Sequence, residues 1–154
     1  MEGKALDMYK AGVAEIRRRA MKELGLPESG IVVRSLRPED VGLTTAEWTD
    51  TSGATAWVDL VNTTVGDQKF LLINGAHKVD DDADVVRITR EGKVAAIWNI
   101  QACQKLRDKT LFFEPVLCDQ NTLIHIEHYG NSAQTVKLVL FGAVCEPKGL
   151  NINP

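Results

Sequence analysis

The chain has 154 residues, of which 44% are hydrophobic and 25% charged, with a formal net charge of −3. That is the composition of one globular domain able to bury a core, and it excludes a disordered tail, a collagen-like repeat and a disulfide-dense miniprotein. No apolar run approaches the roughly 18 residues of a membrane span, the N-terminus does not read as a secretory signal, and the modest charge points to neither nucleic acid nor a membrane surface.

The first element is helical. Leu6, Tyr9, Val13, Ile16, Ala20 and Leu24 recur at gaps of three and four, while Lys4, Asp7, Glu15, Arg18, Arg19 and Lys22 take the opposite side. Gly25, Leu26 and Pro27 stop the helix, because glycine accepts a left-handed cap and proline cannot continue the ladder. The spacing therefore predicts an amphipathic helix over 4–24, with Gly12 tolerated inside it at a cost of about 1 kcal/mol. Residues 1–26 carry a net +2 and residues 27–154 a net −5. We divide the chain accordingly into an N-terminal helical arm, 1–26, and a β-sandwich domain, 27–154.

After Pro27 the hydrophobic period falls to two. Extended runs follow at 31–36, 54–62, 69–78, 85–90, 94–100, 111–118, 123–129 and 136–145, separated by turn residues such as Val65-Gly66-Asp67, Glu91-Gly92 and Gly130-Asn131-Ser132. Val41–Ser52 reads as a loop, and Ile100–Arg107 as a short helical turn. Eight strands at this spacing predict an all-β fold, an eight-stranded jelly-roll-like β-sandwich preceded by an amphipathic α-helix. An immunoglobulin-like sandwich is the alternative, but no Cys…Trp…Cys arrangement supports it.

Cys103, Cys118 and Cys145 are odd in number and lack metal-ligand spacing, so they read as reduced structural thiols. A Cys118–Cys145 staple stays open at this stage. His125, Glu127 and His128 form an H-x-E-H cluster on one strand, with His77 on an earlier one. Residues two apart on a strand share a face, so His125 and Glu127 point together and His128 points away. A metal site would need His77, His125 and Glu127 to converge from neighbouring strands; a polar solvent face or subunit contact is the simpler reading. The run Asp80, Asp81, Asp82, Ala83, Asp84 offers oxygen ligands for calcium but lacks the EF-hand pattern, and reads better as a charged inter-strand loop. Trp57 and Trp98 fall within strands as core residues, leaving Trp48, in a loop, as the tryptophan expected on the surface and as a platform for a sugar ring. Arg17, Arg18 and Arg19, with Lys22, make a basic helix face that either contacts phosphates or an acidic partner, or is simply solvated. No catalytic, cofactor-binding or metal residue is assigned, and an enzyme is not the expectation.

The segments Val61-Asn62-Thr63-Thr64-Val65-Gly66-Asp67-Gln68-Lys69-Phe70 and Leu140-Phe141-Gly142-Ala143-Val144-Cys145-Glu146-Pro147 look like the strand–turn–strand and last strand of small virion proteins. In architecture most of the chain resembles capsid decoration or minor capsid proteins of tailed and related viruses, built as one jelly roll with an N-terminal arm. That resemblance implies a homo-oligomer, trimeric or otherwise symmetric, attached to a major capsid protein lattice, without cofactor, in virions assembled in the host cytoplasm. The helix stripe would then be buried on its own sandwich or on a neighbour, and the extended, proline-bounded 146–154 would lie along a neighbour. A ligand-binding module for carbohydrate or a receptor is the alternative, and a metal-dependent jelly-roll enzyme a third reading.

Overall fold

The computed structural model describes residues 3–43, 47–51, 54–78, 84–101, 110–133 and 135–150. Among the described residues one α-helix, α1 (Gly3–Leu24), precedes nine strands: β1 (Ile31–Ser35), β2 (Thr49–Thr51), β3 (Ala56–Thr64), β4 (Phe70–Lys78), β5 (Val85–Arg90), β6 (Lys93–Asn99), β7 (Leu111–Cys118), β8 (Leu123–Gly130) and β9 (Thr135–Pro147). One sheet runs β1-β9-β4-β7 and the other β3-β8-β5-β6, and every pairing between strands is antiparallel. The two sheet orders are those of a jelly roll, with the chain crossing between sheets except at the β5–β6 hairpin and between β1 and β2, which both pair with β9. The eight strands expected from periodicity all form. The ninth, β2, lies inside the segment read as a loop and pairs with the start of β9, Thr49 opposite Lys137.

The core lies between the sheets. Leu71 and Ile73 of β4, Leu138, Leu140 and Val144 of β9, and Val86, Ile88, Ile124 and Ile126 of the facing sheet are buried there. This follows from period-two alternation, which sends every second side chain inward. β4 departs from alternation because it is buried on both faces, Phe70 and Leu72 included. What covers its outer face is α1. Ile16 and Ala20 pack with Phe70 and Cys145, flanked by Leu24, Val33 and Leu117, into a second apolar cluster.

The helix stripe is therefore buried on the chain's own sheet. Gly12 explains the approach: a Cβ there would come within 2.6 Å of Leu72 Cδ1 and 3.3 Å of Pro115. Its helix cost is offset by close packing rather than merely tolerated. Gly142 is tighter still, because a Cβ at that position would lie 1.8 Å from the Leu72 carbonyl oxygen.

Ion pairs close the two ends of the sandwich. At one end Arg34 donates to Asp40 at 2.6 and 2.8 Å and to Glu146 at 2.7 Å, with Lys69 Nζ 3.4 Å from Asp40. These pin the 3-10 turn Pro38–Val41 over the interior. Burial works to raise the Asp40 pKa, but the Arg34 guanidinium, the Arg37 backbone N–H and Lys69 outweigh it and hold the carboxyl below its ordinary value. At the other end Lys78 and Asp84 pair at 2.8 Å, and His128 Nε2 lies 2.7 Å from Asp50 Oδ2. Through that contact a histidine of one sheet fastens β2 of the other.

One open alternative closes and two expectations are corrected. Cys118 and Cys145 are free, and they point to opposite faces of one sheet with β4 between their strands, so no staple joins them. Burial raises both thiols to about 11. Trp48 is buried, 8% exposed, because its segment turns back over the core to pair with β9. Finally, Glu146 and Pro147 continue β9 against Ile31 and Val32 instead of leaving the sandwich, with 151–154 outside the described residues.

Candidate functional site

The second sheet, β3-β8-β5-β6, turns an outer face to solvent, and strand register decides which side chains meet there. Trp57 lies opposite Tyr129 and Asp59 opposite Glu127; Arg87 lies opposite Glu127 on the other side and Ile97 opposite Arg87. One pleat further along, Asn62, His125, Thr89 and Val94 form the next row. A bulge between Asp59 and Val61 buries Leu60 and Val61 together and restores Asn62 to the outer face.

These side chains form a connected network. His125 Nε2 lies 2.6 Å from Asp59 Oδ1, and His125 Nδ1 lies 3.9 Å from Glu127 Oε1. Arg87 donates to that same Glu127 oxygen from Nε at 3.0 Å and from Nη2 at 2.8 Å. Its guanidinium also stands 4.1 Å from the centre of the Trp57 ring, a cation–π contact, while Tyr129 meets Trp57 edge-on at 5.4 Å. Trp57 is thus the surface tryptophan, 36% exposed, with two neighbours fixing its orientation. Trp98 is in the core, stacked on Phe113 at 4.7 Å.

Of the residues proposed to converge, His125 and Glu127 do share a face, as strand geometry requires. His77 does not join them: it lies on β4 in the opposite sheet. Asp59 takes its place as the third potential ligand near His125 and Glu127. One ligand atom from each of the three lies within 4.8 Å of the others, and Glu127 already carries the Arg87 guanidinium. Asp59 hydrogen-bonds the imidazole, while Glu127 stands beyond hydrogen-bond distance of the ring and is held by Arg87.

His128 faces inward and is fully buried, with Nδ1 unpartnered among the described residues. Of the acidic run, Asp80–Ala83 lie outside the described residues. Asp84 accepts from Lys78 at 2.8 Å and Asn131 at 3.1 Å, so its carboxylate is already engaged. Cys103 and most of Ile100–Arg107 also lie outside them. The basic helix face is paired rather than free: Arg17 with Glu28, Arg18 with Glu15, and Arg19 with both Glu15 and Asp119. Hydrogen bonds from Arg18 and Arg19 hold Glu15 down to about 2.

Asp59 and Arg87 are the residues that sequence reading missed. Their signal is the alternation Trp57-x-Asp59 and Arg87-x-Thr89, which marks a polar face. It becomes a site only when strands far apart in the chain are placed in register.

No protein-family model and no curated protein sequence matches the chain. Among solved structures it is similar to the VP2 subviral particle of infectious bursal disease virus, with a TM-score of 0.40 and 10% identity over 77% of this chain and 33% of that one. It is also similar to the T=1 particles derived from that virus (0.39, 10%, 77% and 32%) and to its T13 particle (0.34, 12%, 78% and 32%). The chain spans about a third of the length of these proteins. Likeness at that level carries no argument about what this chain does.

Proposed function

We propose that the chain is a virion structural protein, a capsid decoration protein or small capsid subunit that works through subunit contacts in particles assembled in the host cytoplasm. The observation that carries this reading is the distribution of exposed apolar side chains. Trp57, Val94, Ile97 and Leu123 all lie on the second sheet and, by alternation, on its outer face, whereas α1 seals much of the first and leaves Phe141 of β9 exposed there. A bare, partly apolar sheet face on a jelly roll suits contact with another subunit, and apolar patches of this kind mark interaction surfaces. The link from jelly roll to capsid is fold-level analogy, supported by the resemblance of the strand segments. The reading assigns a homo-oligomer, trimeric or otherwise symmetric, docked on a major capsid protein lattice, and gives the chain no catalytic step.

Light scattering of the purified chain, with electron microscopy of the product, tests it. A symmetric oligomer that binds a capsid lattice is expected; a monomer at every concentration, with no particle association, overturns it.

A second reading has its own observation. The Trp57 ring, steadied by Tyr129 and flanked by the Asp59 carboxylate, offers a stacking platform with an acceptor for hydroxyl groups, the elements of a carbohydrate subsite. A glycan array separates the two readings: signal lost on Trp57→Ala supports the second, and silence removes it.

A further inference from the structure

We infer that β6 is a two-fold contact, at which a second copy of this chain adds its own β6 antiparallel to extend the second sheet. This rests on the structural-subunit reading and names the surface that reading leaves open.

Among the described residues β6 is the terminal strand of its sheet. An edge strand presents unpaired backbone donors and acceptors, and proteins ordinarily guard such edges with charge, proline or cover. β6, Lys-Val-Ala-Ala-Ile-Trp-Asn, has no proline and a single charge at its first position. It also carries the two most exposed large hydrophobic residues, Ile97 at 62% and Val94 at 57%. The neighbouring edge in the other sheet is guarded: β7 contains Pro115, which has no N–H, and the Leu117 carbonyl accepts from Arg90. Between β6 and β7 opens a cleft of about 450 Å³, lined by Ala96, Trp98, Phe113 and Val116 together with the charged Arg90 and Glu114.

The strand's own pattern selects a second copy as the occupant. A two-fold contact is self-complementary, and residues directly opposite in an antiparallel pair share a face. With the axis at Ile97, Ile97 meets its own copy on the outer face. Ala96 then faces Trp98, both pointing coreward, a small residue against a large one. Lys93 falls opposite Gln101, so no like charges meet along the register. The bulge between Ile88 and Thr89 of β5, which sets Ala95 out of register, bounds the regular pairing at that end.

Cysteine cross-linking of the full chain, in a Cys103→Ser background, tests the register. Ile97→Cys places two thiols opposite each other, within reach of a disulfide, and mild oxidation should give a covalent dimer. Val94→Cys places its thiols six residues apart across the pair and should give none. Ile97→Lys, at an exposed position that leaves the core alone, should halve the mass read by light scattering at a given concentration. No cross-link at position 97, or equal cross-linking at 94 and 97, overturns the inference. An assembly whose mass survives Ile97→Lys overturns the β6 contact while leaving the subunit proposal standing; a chain monomeric throughout overturns both.

Discussion

In the sheet β1-β9-β4-β7 part of the outer face, Phe70 and Cys145 included, is buried beneath α1, while Phe141 of β9 stays exposed. The corresponding positions of β3-β8-β5-β6 hold Trp57, Arg87, His125 and Ile97 and stay open. The first sheet has become the middle layer of three, and β4 at its centre reads as nearly continuous apolar sequence. The second keeps the alternation of a sheet with one wet face. The difference separates a face whose residues answer to packing from one whose residues are free to answer to a partner. Substitutions should therefore cost most where α1 and β9 press on β4, and least on the open face.

The largest effect is expected at Gly142. A methyl group there meets the Leu72 carbonyl oxygen, a backbone atom that cannot rotate away, so the β4–β9 ladder must part locally. Gly142→Ala should cost upward of about 3 kcal/mol in denaturant unfolding. A smaller loss would mean that the central pairing is softer than its burial implies.

Ile16→Ala comes next, at about 3 kcal/mol, because Ile16 is fully buried against the outer face of the sheet. It carries a second readout. Cys145 lies beneath the helix with its thiol raised to about 11, so it should resist alkylation in the native protein. Loosening α1 should speed labelling of Cys145 while leaving Cys118, on the inner face of the same sheet, protected. Equal acceleration at both would show that helix and sandwich open together.

The outlines of the fold were legible because its physics is local. Helical spacing located α1 to within a residue, and alternation located eight strands. β2 was illegible for the same reason: Thr49-Asp50-Thr51 has no apolar rhythm and is held by pairing with β9 and by His128, far along the chain. Trp48 was misplaced on the surface because its burial depends on that pairing. At the open face His125 and Glu127 were readable as a pair. Their partners Asp59 and Arg87 are separated from them by 66 and 40 residues, and His77 stood as a conceivable third member only because sheet membership cannot be read from strand order by alternation alone.

Asp40 tests the closed end of the sandwich through pH. Its folded pKa lies below the ordinary carboxylate value of 3.8, so the folded state holds the ionised form more tightly than the unfolded chain does. That stabilisation is complete above the unfolded value and is lost as pH falls through the lower folded one. Asp40→Asn should remove this part of the acid dependence below about pH 4. At neutral pH it should cost about 2 kcal/mol, moderated because Arg34 retains Glu146.

The smallest effect is expected on the open face. Arg87 contributes an ion pair to Glu127 and a cation–π contact to Trp57, but its side chain is 28% exposed and water competes for both. Arg87→Ala should therefore cost only about 1 kcal/mol. Its larger consequence is geometric, because Glu127 loses its two guanidinium bonds and Trp57 loses one of the two neighbours that fix its ring. Tryptophan fluorescence should shift and become more readily quenched while the unfolding midpoint barely moves. A loss approaching that of Ile16→Ala would mean that this network supports the fold as α1 does, and the contrast between the two sheets would fail.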